Sequence, residues 1–175
     1  MSTRQRRVRY QVAMSLDGFI AGPDGSADWI VADPDIDFAE LFAQFDTFLM
    51  GRHTYEWLLN ANGPPMPGQV LVFSKSLRQG DHPAVRIVGS DETAVINDLR
   101  NQTGKDIWLF GGGQLFRTLV EKGLVDTVEV AVIPVLLGAG LPLLPPPAPR
   151  TSLQLTRHHV HPKSGIVSLE YDIRY

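Results

Sequence analysis

Three observations predict an α/β fold with a mainly parallel central sheet, helices on both faces and an antiparallel hairpin at the C-terminus. Short apolar runs alternate with stretches of helical period through most of the chain, and two of those runs pass into glycine and then a helix start. The chain closes on two alternating segments that flank Lys163, Ser164 and Gly165. Alternation of strands and helices is the pattern of a parallel sheet, and the short polar turn near the end is the pattern of a hairpin.

The opening strand is read from Val8, Tyr10, Val12 and Met14, which alternate with Arg9, Gln11, Ala13 and Ser15. After the glycine- and aspartate-rich stretch LDGFIAGPDGSADW, Asp33 is expected to cap a helix with Pro34 at its first position. Phe38, Leu41, Phe42 and Phe45 then form one apolar stripe facing the core. Further strands are expected over 47–50, 69–73, 85–88, 107–110 and 127–133. Helices are expected over 54–59, over 91–102 with Ser90 as cap and Gly104 as stop, and over 114–122 stopped by Gly123. The run LPLLPPPAPR is expected to be a stiff surface connection without regular structure, because proline removes backbone donors. The last strands are expected over 153–160 and 166–175.

Composition narrows the function classes. A length of 175 residues with 43% apolar content suits one domain, over 1–175, that buries a real core. The formal charge of −3 leaves no broad basic surface for nucleic acid or an anionic membrane, and no stretch is long enough to span a bilayer. The chain has no cysteine, which excludes disulfides, thiolate metal sites and cysteine nucleophiles. The basic N-terminus MSTRQRRVRY runs into the first strand without an apolar signal core, so a cytoplasmic location is expected.

The chemistry is concentrated in the two glycine turns, FLMGRHTYE and IWLFGGGQLF. A strand ending in glycine lets backbone approach a ligand, and the helix that follows offers unpaired N–H groups with a partial positive charge. Arg52 adds a planar fork for phosphate; Thr54 adds a hydroxyl that either caps the helix or binds a phosphate oxygen. Ser74 and Lys75 supply a hydroxyl and a cation after a third strand. Two such turns suit a ligand with separated phosphates, such as a dinucleotide. The spacing departs from the Rossmann fingerprint, since Phe116 stands where its third glycine would be.

Taken in order, VAMSLDGFIA, Trp29, FLMGRHTYE, VFSKSL, IWLFGGGQLF and VIPVLLGAGLPLLP resemble the dihydrofolate reductase-like superfamily, in the branch of the riboflavin-biosynthesis reductase domain. The resemblance spans nearly the whole chain. It implies a three-layer sandwich, a homodimer and an NADPH-dependent reductase acting on a small molecule. It further implies that Gly51, Arg52, His53 and Thr54 hold the pyrophosphate and 2′-phosphate, and that Ser74 and Lys75 border the adenosine. On the second turn, Phe110, Gly112, Gly113, Gln114 and Leu115 would cradle the pyrophosphate, while Ala13, Ile20 and Ala21 line the nicotinamide.

Where folate reductases carry a pterin-binding carboxylate, counting forward from Trp29 reaches Pro34 and counting back from MGRHT reaches Asp35. The hydroxyl that assists this carboxylate is replaced by Ala131. The arginines that handle ribosyl phosphate in the riboflavin branch are also absent, the chain reading HTYEWLLNANGPPMPG instead. If a side chain delivers a proton, Asp35 and Asp17 are the candidates, with Trp29 and Phe38 as apolar walls of the substrate site. Asp35 reads equally as a carboxylate at a helix N-terminus and Asp17 as a turn residue before Gly18. His158, His159 and His161 fit a polar edge strand, and Asp28, Asp33, Asp35 and Asp37 fit capping, so no metal is expected. The competing readings are a nucleotide-binding module without turnover and a hydrolase using the aspartates.

Overall fold

The computed structural model describes residues 5–61 and 65–175. The remainder, the first four residues of the basic N-terminus and part of the HTYEWLLNANGPPMPG segment, lies outside that description.

In chain order the elements are β1 (Val8–Ser15), β2 (Phe19–Ala21), α1 (Phe38–Phe42), β3 (Phe45–Gly51), α2 (Arg52–Asn60), β4 (Gln69–Phe73), β5 (Arg86–Val88) and α3 (Glu92–Asn101). They continue with β6 (Asp106–Gly111), α4 (Gly113–Glu121), β7 (Thr127–Ile133), β8 (Leu141–Pro142), β9 (Ser152–Val160) and β10 (Val167–Arg174). Eight strands form one sheet in the order β5-β4-β3-β6-β1-β7-β10-β9. The first six run parallel and the hairpin β9–β10 adds an antiparallel edge, as the alternation of elements predicts.

Each face of the sheet buries a different set of side chains. On one, α3 and α4 pack Ile96, Leu99, Leu115, Phe116 and Leu119 against Tyr10, Leu49, Leu71, Ile107 and Leu109. On the other, Leu41 and Phe42 of α1 and Tyr55 of α2 cover Phe45, Phe48, Met50, Val72 and Trp108. This second core is aromatic, with Trp108 ringed by Phe42, Phe45, Phe48 and Phe110 at 4.9–5.9 Å. Beyond Trp108, on β1, β7 and β10, the same face turns polar. Gln11, Glu129, Glu170 and Arg157 stand in one row, and Ala13, Ala131, Ser168 and His159 in the next.

Four local expectations are corrected. The helix read from Asp33 and Pro34 begins only at Phe38, because Asp33 spends its carboxylate on the Asp35 N–H at 2.8 Å and Asp37 caps α1 through the Glu40 N–H. Phe45 consequently starts β3, and Phe38 is 53% exposed while Leu41 and Phe42 pack inward. The cap of α3 is Asp91 and not Ser90; Asp91 adopts φ 59° and accepts from the Ala94 N–H. The proline run contributes a strand after all: Leu141 and Pro142 pair with Ala21 and Phe19 of β2, in a stretch that reads as loop. Two residues on a two-stranded ribbon need few ladder donors, so Pro142 is tolerated there.

Candidate functional site

Strands β4, β3, β6 and β1 are neighbours, and their C-terminal ends carry most of the residues named from the sequence. Parallel sheets bind ligands at that end. At the β3–α2 turn, Gly51 is the N-cap and makes no side-chain capping bond, so Thr54 lies inside the first turn of α2 and is not its cap. At the β6–α4 turn, Gly112 is the N-cap, again without a side-chain capping bond. Two helix N-termini of nine residues each therefore present backbone N–H groups that no side chain of their own caps satisfies.

The two turns face each other. A Cβ built on Gly51 would lie 4.0 Å from the Gly111 carbonyl oxygen, and Cβ atoms on Gly111 and Gly112 would lie 3.8 and 3.6 Å from Thr54 Oγ1. Gly111 has φ 142°, a conformation that demands glycine, and the Gly111–Gly112 peptide is cis. Gln114 is exposed, Phe110 is half-buried on the aromatic side, and Leu115 is buried beneath the turn.

Arg52 extends from α2 to donate to Ser76 Oγ at 3.3 Å and lies 3.7 Å from Glu56; His53 is exposed beside it. Ser74 follows β4, where its hydroxyl accepts from the Ser76 and Leu77 N–H groups and shapes the turn that brings Ser76 to Arg52. Lys75 is exposed, and its charge, after the larger effect of Lys122, helps hold the Glu92 carboxyl below the usual range.

Ala13, Ile20 and Ala21 reach the same end by another route. Ala13 stands on β1 opposite Ala131, while Ile20 and Ala21 sit on β2, whose partner β8 lies against α4. Pro142 and Leu143 carbonyl oxygens approach Gly113 so closely that a Cβ there would meet them at 2.6 and 3.1 Å.

Asp17 fastens this corner. Its carboxylate accepts from Ser15 Oγ at 2.6 Å, from the Leu137 N–H at 3.1 Å and from the Gly138 N–H at 2.7 Å. The Ser15 hydroxyl, with the two N–H groups, holds the Asp17 carboxyl below its ordinary value. A carboxylate so held is a poor proton donor at neutral pH. Asp35 is exposed and paired with Lys163 Nζ at 2.8 Å, while Asp37 caps α1. Of the aspartates weighed for a hydrolase, Asp33, Asp35 and Asp37 thus have separate structural partners. Trp29 is half-buried and donates to the Ser26 carbonyl.

Ser168 carries no signal in the sequence, while Asp33 and His161 read there as a helix cap and a polar edge-strand residue and not as a pair. Asp33 is 3% exposed and His161 7% exposed, on the polar side of the sheet. The Ser164 hydroxyl, the Asp35 N–H and the charge of His161 keep Asp33 ionised, its carboxyl below the ordinary range. The available signal was an aspartate before proline and a histidine beside a hairpin turn, and both have commonplace explanations on the surface.

The pH dependence of stability follows in sign from Asp17 and Asp33. Both carboxyls lie lower in the folded chain than in the unfolded one, so their contribution is complete above the unfolded value of about 3.9 and is lost as pH falls through the folded values. Thermal unfolding should show no contribution of these groups to any change between pH 7 and 5 and a falling midpoint below about pH 4. The Asp17→Asn variant should start lower at pH 7 and fall less steeply in acid; parallel curves would show that the Asp17 tether does not titrate as described.

Residues 6–166 match the family model of the RibD C-terminal domain. The chain is 34% identical over 181 residues to the uncharacterized protein YyaP of Bacillus subtilis (strain 168), covering 96% of this chain and 95% of that one. It is 26% identical over 164 residues to the riboflavin biosynthesis protein RibD of Corynebacterium ammoniagenes, covering 85% of this chain but 49% of that protein. Among solved structures, that of a candidate riboflavin biosynthesis protein from Shewanella sp. PV-4 superposes with a TM-score of 0.83 at 26% identity, covering 97% of this chain and 99% of the other. With its mainly parallel sheet, antiparallel C-terminal strands and glycine turns, the chain belongs to the family of the RibD C-terminal domain, a branch of the dihydrofolate reductase-like superfamily.

Proposed function

We propose that this protein is an NADPH-dependent reductase that transfers hydride to a small heterocyclic or carbonyl-bearing compound, in a single domain. The observation that carries the reading is the pair of facing helix N-termini at Gly51 and Gly112. Their donors open helices that follow adjacent strands, with glycines between them and the Thr54 hydroxyl beside the gap. A pyrophosphate fits that chemistry, held by Gly51, Thr54, Gly112, Gly113 and Gln114, with Phe110 and Leu115 supporting the turn. Arg52, with His53 beside it, would pair with a 2′-phosphate, and Ser74 and Lys75 would border the adenosine. Ala13, Ile20 and Ala21 would then form the wall against the nicotinamide, which supplies the hydride.

Apolar side chains are exposed on the connections and short elements around that end: Leu16, Ile30, Val31, Phe38, Leu136 and Leu141. With Trp29 they are suited to cover a substrate and exclude water from a hydride transfer. The role of Asp17 in this reading is to hold the first loop against residues 137 and 138, and that of Asp35 is to bind Lys163 across the hairpin. RibD of Corynebacterium ammoniagenes, named for riboflavin biosynthesis, supports a heterocyclic substrate. The exposed edge strand β9, with Leu153, Leu155 and Val160 open, supports a homodimer. Absence of cysteine agrees with the reducing cytoplasm.

Calorimetric titration with NADPH tests the reading directly, followed by NADPH oxidation against pterins, aminopyrimidines and ketones. Binding with turnover of one class is the expected result; binding without turnover across the panel would leave a nucleotide-binding module, and no heat of binding would remove the proposal. Arg52→Ala should weaken NADPH by about 10–100-fold, the scale of one charge-assisted phosphate contact, and NADH far less. Equal losses for both coenzymes would show that Arg52 does not read the extra phosphate.

A further inference from the structure

Reduction of a C=N or C=O bond adds hydride to carbon and leaves an electron pair on nitrogen or oxygen, which must take a proton. Asp17 and Asp35 are committed to other partners. Of the other buried titratable side chains among the described residues, Tyr10 is enclosed in the apolar core against Phe116, Tyr55 is bonded to His82, Arg6 is bound to Asp46 and Thr47, and Glu129 is clasped by Arg9 at 2.7 Å through both oxygens. Asp33 and His161 remain, and they meet on the polar face beside Ser168.

We propose that Asp33, His161 and Ser168 form a proton relay, in which Ser168 hands its hydroxyl proton to the reduced substrate, His161 restores it and Asp33 holds the imidazolium. The assignment rests on the reductase reading above. His161 Nε2 lies 3.1 Å from Ser168 Oγ, and His161 Nδ1 lies 4.0 Å from Asp33 Oδ1. His161 Nδ1 and Asp33 Oδ2 are both buried without a hydrogen-bond partner among the described residues. A second proton on the imidazole therefore faces the Asp33 carboxylate, whose Oδ1 also accepts from the Asp35 N–H and which the Ser164 hydroxyl helps to hold. Two buried polar atoms left unsatisfied cost stability, which argues for a use beyond packing.

Position links the relay to the site. Ser168 is in register with Ala131 and Ala131 with Ala13, all on one face of the sheet. Two strand spacings put Ser168 about 10 Å from the wall assigned to the nicotinamide, within reach of a ring lying along that row. On the other side, His161 and Ser168 line a cavity of about 190 Å³ with His159 and Glu170, roomy enough for solvent. The charged and titratable groups around His161 are Asp33 from the turn before α1 and the His159 ring, 4.5 Å away, from β9. Arg157, His158 and Glu170 border the same cavity, and Lys163 in the hairpin turn is held by Asp35.

The step balances. The π pair of the substrate bond becomes an N–H or O–H bond with the Ser168 proton, the Ser168 O–H is remade with the Nε2 proton of His161, and neutral His161 takes one proton from solvent. The reduced nicotinamide is the sole reductant. Asp33 stays ionised throughout.

The test combines histidine-labelled NMR of the full chain with calorimetry and kinetics. In Asp33→Asn, the Nδ1 resonance of His161 should move from its wild-type position, because the facing anion is gone, while NADPH affinity is unchanged. An unmoved Nδ1 resonance overturns the relay whether or not a substrate is known. With a compound that turns over, Ser168→Ala should lower kcat by about 10²-fold without changing NADPH affinity. A kcat indifferent to Ser168→Ala overturns the relay and leaves the reductase reading intact. Absence of NADPH binding removes the reductase reading, and the relay with it, even if the His161 resonance moves.

Discussion

Replacing Gly113 by alanine should destabilise the protein by about 2–3 kcal/mol, the upper range for overpacking, although alanine is the better helix former by about 1 kcal/mol. Its Cβ would stand 2.6 Å from the Pro142 carbonyl oxygen, 3.1 Å from that of Leu143 and 3.0 Å from Pro145 Cδ. Backbone and a proline ring cannot swing aside as a flexible side chain can, so either the β8 segment lifts or α4 is pushed out. Both movements separate β2, which carries Ala21, from the helix N-terminus assigned to the pyrophosphate. Thermal unfolding should fall by about 4–12 °C, and NADPH binding should weaken with it. Gly112→Ala is the control. Its Cβ meets only Thr54 Oγ1 at 3.6 Å, an ordinary contact, and its backbone at φ −94° suits alanine. That variant should melt close to wild type and lose affinity for the coenzyme, because the methyl group fills the gap between the turns. If Gly113→Ala melts as wild type does, the close packing of β8 on α4 is wrong.

The contrast between these two glycines marks how far the sequence can be read. The strand pattern placed β4 and β7 to the residue, because apolar alternation is written locally, whereas the order of strands in the sheet is not. The glycines of GRHT and GGGQ are legible as strand-to-helix turns, but which of them packs against Pro142 depends on a segment about 30 residues away. Asp33 shows the same limit. Beside Pro34 it reads as a helix cap, and its burial follows from the hairpin turn at Ser164, which comes late in the chain. Asp17, read as a turn residue, owes its tether to the N–H groups of Leu137 and Gly138, on a loop that no local pattern places beside it. Local chemistry identified the residue types, and long-range packing assigned their work.

Arg6→Leu should have the largest effect on stability, about 3 kcal/mol or roughly 6–12 °C, at the lower end for breaking a buried charge pair because Asp46 keeps 37% of its side chain exposed. Arg6 precedes β1 and is 5% exposed. Its guanidinium donates to Asp46 Oδ1, to Thr47 Oγ1 at 2.7 Å, to the Lys105 carbonyl at 2.6 Å and to the Leu99 carbonyl at 3.3 Å. One side chain thereby ties β3, the last turn of α3 and the turn into β6. The hydrophobic gain from leucine is about 1.5–3 kcal/mol at most, while the acceptors left behind are two carbonyls, a hydroxyl and a carboxylate in a half-closed space. Gly104 tightens that space, since a Cβ there would meet Asp46 Oδ2 at 2.6 Å and Arg6 Cζ at 3.1 Å. Arg6→Lys retains the charge but lacks the planar fork, so it should recover only part of the loss. Urea unfolding of the three proteins would rank them wild type, Arg6→Lys, Arg6→Leu. An Arg6→Leu variant as stable as wild type would mean that the network contributes nothing net.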